Sequence, residues 1–461
     1  MVLAQLVAPR SKKAVWEMLE QSALIPTIDP SALPLHAYYR SLEYLSEAKL
    51  EIEKGMRASM THLFNLDVSL VFYDLTSSYF EGTECPLSKK GYSRDHRPDC
   101  LQLEIGLLVD QDGIPFGHEV FEGNVQDATT VLCALERLKR DFAVKRCIFV
   151  GDDGMASKTN LEAVEQAGYE YITSLSLRKS VVGKELLEAM PKRSTFPKVD
   201  HNLYLCPLRT DECVPQAPES GEVVESGDRP GAQGRAPRRA IRYIASYNPE
   251  RAATSQRHRR RRLRQCITYL RQLQAPPKLG ARKRTPEQLL QAAAQFVAGK
   301  VCKSLFVLDI EDQRSLQWTI DKKVLRTERL MDGLVILKTT SNSLSDIEVA
   351  RGYRGLWRVE DAFRHIKGPI DLRPIRHWND ARVRGHILVC VMAYALERLM
   401  DQRLADRAMG VTARKAMDEL ETITVATMEA CGQEVRRRSK ITPRQQDLLR
   451  ALGVGSVPEI W

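Results

Sequence analysis

The sequence predicts an α/β fold: a mixed-sheet core, split by an insertion and flanked by helices. Three observations carry this expectation. Segments between Val68 and Leu175 follow the order β-β-β-α-β-α-β, the pattern of a mixed sheet with helices on its faces. Residues 178–340 break that pattern with loop-like and basic stretches. Tyr353–Lys367, reading YRGLWRVEDAFRHIK, then gives an amphipathic helix, with Leu356, Val359, Phe363 and Ile366 at helical spacing. The expected divisions are a helical region over 1–65, core over 66–177, insertion over 178–340, core again over 341–403, and a helical tail over 404–461.

Each element has its own signal. Lys13–Gln21 and His36–Phe64 show helical apolar spacing, separated by the Pro-containing IPTIDPSALP. VSLVFYDLTSSYF is β-branched and aromatic, with Asp74 at its centre. CLQLEIGLLVD gives a second strand, and the turn QDGI leads to a third near Pro115–Phe121. Asp127–Phe142 reads as a helix, capped by Asp127, with Val131, Leu135 and Leu138 on one face. RCIFV is a buried-type strand ending at Gly151-Asp152-Asp153-Gly154, followed by a helix over Asn160–Ala167 and a strand over Tyr169–Leu175. In the insertion, Cys213–Arg239 has the composition of a mobile segment, Arg257–Arg264 is the densest basic run, and Ser304–Ile310 and Leu334–Thr340 read as strands. Ser345-Asp346 opens the organising helix as a cap. IDLRPIRH follows it as a loop, Asn379–Arg403 is a long helix, and helix is expected to the end, with a basic run at Arg436–Lys440.

Composition sets the bounds. The chain has 461 residues, 43% hydrophobic and 28% charged, with a formal charge of +10. That excess of cations suits a nucleic-acid partner. The ten cysteines form no CxxC pair, which argues against zinc and fits a reducing cytoplasm. The longest apolar stretch is about half a membrane span, so no membrane association is expected.

Three carboxylates stand out. Asp74 falls in a strand that should be central, where a carboxylate must be paired, hydrogen-bonded or metal-bound. Asp152 ends another buried strand, and ligand sites favour the carboxyl ends of such strands. Glu360 lies on the amphipathic helix, in a row with Tyr353 and Lys367 at intervals of seven. Brought together, the three would repel without a cation. With two Mg²⁺ ions they form an oxygen cage that activates water and stabilises in-line phosphoryl transfer. The plain alternatives are a turn at Asp152-Asp153-Gly154 and a solvated charged face around Glu360.

These blocks resemble the DDE transposases of bacterial insertion sequences, specifically the insertion-sequence family four group. YDLTSSYFEG resembles the block around the first catalytic aspartate and selects Asp74. GYSRDHRPDCLQLEIGLLVDQDGIPFGHEVFEGN resembles the next two strands, and FVGDDGMAS the block of the second aspartate, selecting Asp152 over Asp153. Tyr353, Glu360 and Lys367 match the Tyr-Arg-Glu-Lys signature, but its arginine would fall at Leu356, with Arg358 the nearest substitute. The resemblance implies an RNase H-like core, a mainly β insertion, and a homodimer on double-stranded DNA carrying the element's terminal inverted repeats and the target. It also implies Asp74, Asp152 and Glu360 as metal ligands for two Mg²⁺, with Mn²⁺ as a substitute, in a bacterial cytoplasm at the nucleoid.

Tyr353, Arg358, Lys367, Arg373 and Arg376 are the expected DNA-backbone contacts; solvent-facing loop positions are the alternative for the last two. Arg257–Arg264 would touch DNA if ordered, or else be a solvated run. Trp318 would stack on a flipped base or, more ordinarily, fill a core. Two other functions compete with transposition: a non-catalytic DNA-binding remnant of a transposase, and a related metal-dependent nuclease.

Overall fold

The computed structural model describes residues 1–20, 34–61, 69–125, 127–211, 240–275, 284–300, 302–311, 315–430 and 433–459. Contacts divide the chain into two units. The first includes Met1–Ile172 and Gly352–Trp461, the second Thr173–Val224 and Arg239–Arg351.

The first unit opens with α1 (Val2–Val7), α2 (Lys12–Glu20), α3 (Leu35–Glu47) and α4 (Lys49–Thr61). The expected break over 25–34 lies almost entirely outside the described residues. Strands β1 (Ser69–Tyr79), β2 (Gln102–Val109) and β3 (Pro115–Glu122) follow, then α5 (Asp127–Arg140), β4 (Cys147–Val150), α6 (Lys158–Gln166) and β5 (Glu170–Leu175). The strand order is β3-β2-β1-β4-β5. β1 runs antiparallel to β2 and parallel to β4. This is the RNase H-like arrangement that the resemblance implied. The capping side chain proposed at Asp127 lies outside what is described.

Alternation along β1 sorts its two faces. Val71, Tyr73 and Leu75 enter a core cluster with Val131, Leu135 and Leu138 of α5 and Val164 of α6. Phe72 and Asp74 share the opposite parity.

The second unit holds α7 (Val181–Glu188), β6 (Lys198–Asp200), β7 (Leu203–Asp211) and β8 (Ile241–Tyr247). Then come α8 (Pro249–Gln274), α9 (Pro286–Gly299), β9 (Phe306–Glu311), β10 (Ser315–Ile320), α10 (Lys322–Met331) and β11 (Leu334–Thr339). Its strands are ordered β11-β8-β7-β6, with a separate β9-β10 hairpin. The insertion is therefore partly β, as its sequence suggests, rather than mainly β; α8 and α9 alone supply 26 and 14 helical residues. The basic run belongs to α8, which Asn248 caps by accepting from the Arg251 amide, with proline in the first turn. All of Cys213–Arg239 lies outside the described residues.

The organising helix is two helices, α11 (Asp346–Arg354) and α12 (Trp357–Lys367). Ser345 and Glu348 form a reciprocal capping pair before α11: the Glu348 amide donates to Ser345 Oγ at 3.3 Å, and the Ser345 amide to Glu348 Oε2 at 2.8 Å. Between the helices the backbone tightens to three-residue hydrogen bonds, from Gly355 to Gly352, Leu356 to Tyr353 and Arg358 to Gly355. The cause is a close approach. A Cβ on Gly355 would stand 2.5 Å from Phe72 Cζ. Each tight residue adds roughly 20° of rotation over the α-helical 100°. Tyr353 therefore leaves the row it was expected to share with Glu360 and Lys367. The apolar stripe survives, with Leu356, Val359, Phe363 and Ile366 all buried.

The long helix expected over Asn379–Arg403 is α13 (Asp380–Asp406), and Asn379 caps it. After α14 (Ala413–Glu421), the tail departs from the helical expectation. Val425–Ala430 and Gln433–Arg438 pair as an antiparallel hairpin, β12 and β13, before α15 (Pro443–Ala451).

Candidate active site

β1 and β4 place the two aspartates. Their parallel register ends at Phe72 opposite Val150. Asp74, within β1, and Asp152, just past the end of β4, each lie two residues farther on, so they stand side by side along neighbouring strands whose axes are about 4.8 Å apart. Asp74 is half-buried, and its Oδ1 accepts the Leu75 amide at 2.8 Å. Asp152, also half-buried, accepts from the Met155 amide at 3.2 Å within a turn that Ser157 closes by capping α6. Asp153 is exposed.

α12 brings the third carboxylate to the face of β1 that holds Asp74. Phe72, two residues before Asp74, lies against Gly355 and beneath the Arg358 guanidinium, 5.9 Å from the ring centroid. Glu360 is exposed in the first turn of α12. Burial raises the Asp74 carboxyl to about 7, and the charges of Asp152 and Glu360 add to the rise, while Arg94 opposes it. The two neighbours are thus close enough to be felt at Asp74. Among the described residues, no three carboxylate, histidine or cysteine side chains are gathered into a preformed metal cage. A desolvated carboxylate facing two negative neighbours is nevertheless the donor set that suits a hard divalent cation.

The other expected residues have partners inside the protein. Lys367 is buried, and its Nζ donates to Asp95 Oδ1 at 3.0 Å. Arg373, on the loop after α12, pairs with the same oxygen. Arg376 is exposed and pairs with Glu81 at 3.1 Å. Tyr353 is half-buried in α11. Glu360 and Lys367 share α12, yet one is exposed and the other buried, so they do not present one continuous charged row.

Sequence reasoning missed Arg94 and Asp95. The Arg94 amide donates to Ser77 Oγ at 2.7 Å, and its guanidinium bonds Glu104 at 2.6 Å; Ser77 and Glu104 are cross-strand neighbours on β1 and β2. This fixes a charged loop beside the carboxylates. The only sequence signal was the charge density of SRDHRPD before β2. Ser77 holds that loop. His365 Nδ1 lies 3.3 Å from Glu397, which raises the His365 pKa. Trp318 donates to Gln274 and packs with Phe306, a core role.

The fold is a mixed-sheet core with Asp74 within β1 and Asp152 just past the end of neighbouring β4. Residues 69–396 match the family described as "Transposase DDE domain", and the chain belongs to that family. Among solved structures, it is similar to the piggyBac transposase synaptic complex with hairpin DNA, at 8% identity and a TM-score of 0.39, covering 90% of this chain and 67% of that one. No curated protein matches it. Among the described residues no helix is long and apolar enough to cross a membrane.

Proposed function

We propose that this chain is a Mg²⁺-dependent transposase of the insertion-sequence family four, Tyr-Arg-Glu-Lys type. It would cleave the terminal inverted repeats of its element and join them to target DNA as a homodimer on double-stranded DNA, in the bacterial cytoplasm at the nucleoid. The observation that carries the reading is the parallel register that sets Asp74 beside Asp152, with Asp74 raised by burial and by the two other carboxylates. Asp74, Asp152 and Glu360 would hold two divalent ions, Mg²⁺ or Mn²⁺ in its place. Such ions activate the attacking oxygen and neutralise the leaving one. Arg358, folded over Phe72 beside the position expected for the signature arginine, would take that residue's phosphate contact. Tyr353, Lys367, Arg373 and Arg376 would hold the DNA backbone, with Lys367 and Arg373 exchanging Asp95 for a phosphate.

The test is a strand-transfer assay on a labelled terminal-repeat duplex, comparing wild type with Glu360→Gln. Wild type should cleave and join the ends. The variant should lose cleavage by orders of magnitude while metal-free DNA binding stays equal or tightens, because one negative charge is gone. Cleavage without joining would make the protein a nuclease. Binding without cleavage by wild type would make it a remnant. Near wild-type cleavage by Glu360→Gln would remove the third carboxylate from the site.

A further inference from the structure

Six of the eight arginines of the helix α8 fall into two classes. At 100° per residue, Ala252, Arg259, Cys266 and Leu270 fall on one line, and all four are buried. Arg259 on that line is spent on the protein itself, in a two-pronged pair with Asp332 that includes an NH1 to Oδ1 contact of 2.7 Å. Arg257, Arg260, Arg261, Arg264 and Arg271 fall within an arc of about 100° on the opposite side, and all five are exposed. Among the described residues, none of these five forms a pair with a carboxylate. The helix has no acidic residue after Glu250. An arginine face without acidic partners, about 21 Å long from Arg257 to Arg271 at 1.5 Å per residue, has no use in holding the second unit together.

We infer that the outward arginine face of α8 is a docking surface for the phosphate backbone of duplex DNA, separate from the carboxylate site. It rests on the proposed action on DNA and extends it. Planar guanidiniums suit phosphates, and five of them in a row can follow the dense charge of a duplex. Contacts of this kind position the DNA without reading its bases. Of the eight-residue basic run, Arg257, Arg260, Arg261 and Arg264 carry this role, Arg259 does not, and Arg271 from outside the run extends it.

The test uses the full chain without metal and a labelled duplex of about 40 base pairs, with anisotropy read across a salt series. In one variant Arg257, Arg260, Arg261 and Arg264 are all changed to Gln, and in a second all four are changed to Lys. At about 0.9 per lost phosphate contact, the Gln variant should show a salt slope shallower by roughly two to four units. Its affinity should drop at least about tenfold near 100 mM salt, equally for every sequence. The Lys variant should keep most of the slope, and all three proteins should melt alike because the changed side chains are exposed. An unchanged slope in the Gln variant, with a steep one in wild type, overturns the α8 surface and leaves the DNA reading standing. A loss of RNA affinity with duplex affinity intact would overturn it too. A wild type with no salt-dependent duplex binding removes the DNA reading itself.

Discussion

Lys367 Nζ lies 3.0 Å from Asp95 Oδ1, and the two side chains are 8% and 5% exposed. The pair joins residues 272 positions apart in sequence. Burial lowers the Lys367 pKa, and Asp95 opposes that shift. With Arg373 on the same oxygen, Asp95 does for two cations what a phosphate would do.

Removing Asp95 should therefore cost stability as well as geometry. Asp95→Ala leaves Lys367 buried without its anion, a loss of about 3 kcal/mol for a buried pair. Lys367→Ala in the same background should cost much less than it does alone. Urea denaturation of both single variants and the double variant measures the coupling. Additive losses would show that the two residues act independently.

Asp74 predicts a pH dependence in metal-free protein. Its folded pKa is raised from 3.8 to about 7, so the folded state holds an extra proton across that window. Stability should fall as pH rises from about 4 to 7, at up to about 1.4 kcal/mol per unit. Asp74→Asn should be stabilising, and more so at pH 8 than at pH 5. Melting curves at the two values decide it; a pH-independent gain would remove Asp74 as the cause.

His386 predicts the opposite slope. Its Nδ1 faces Lys12 Nζ at 3.2 Å, and its Nε2 faces the Leu372 carbonyl at 3.2 Å. Lysine only donates, so the ring must be neutral with its proton on Nε2. Burial, then Lys12 and His377, push its pKa well below 6.5; Cys390 Sγ is the other near group, at 4.0 Å. The unfolded state takes up this proton first, so stability should be lost as pH falls below about 6.5. His386→Gln should flatten the acid limb of a denaturation profile between pH 7 and pH 5 relative to wild type. An unchanged limb would assign the acid loss to other groups.

Arg259 and Arg261 are two positions apart and should behave very differently. Arg259→Ala strands the buried carboxylate of Asp332 and should cost about 3–5 kcal/mol. Arg261→Ala, on the exposed face, should stay within about 0.5 kcal/mol. Thermal or urea unfolding of the two variants reads the contrast, and similar losses would mean the helix is not seated as described.

The core was legible because its signals are local. β-Branched and aromatic runs bounded by Gly, Asp and Pro gave β1 to β5; β1 carries Asp74, and Asp152 follows β4. The break after α11 was not legible, because one glycine in an amphipathic pattern is ordinarily tolerated. Its cause, the Phe72 ring, comes from a strand more than 250 residues earlier. The Asp95 pair was hidden for the same reason. α8 escaped because an arginine occupies its inward line at 259, which interrupts the apolar period. The β12-β13 hairpin was lost in a charged tail with little apolar contrast.

The contact of Gly355 with Phe72 has a genetic consequence. Phe72 precedes Asp74 by two residues, and Gly355 precedes Glu360 by five. Any side chain at 355 would meet the Phe72 ring at 2.5 Å and the Arg358 guanidinium at 2.7 Å. The helix would have to ride higher on the strand, carrying Glu360 away from Asp74 with it. On the proposed three-carboxylate site, a screen for inactive copies should therefore recover substitutions at 355 in genes whose codons for Asp74, Asp152 and Glu360 are all intact.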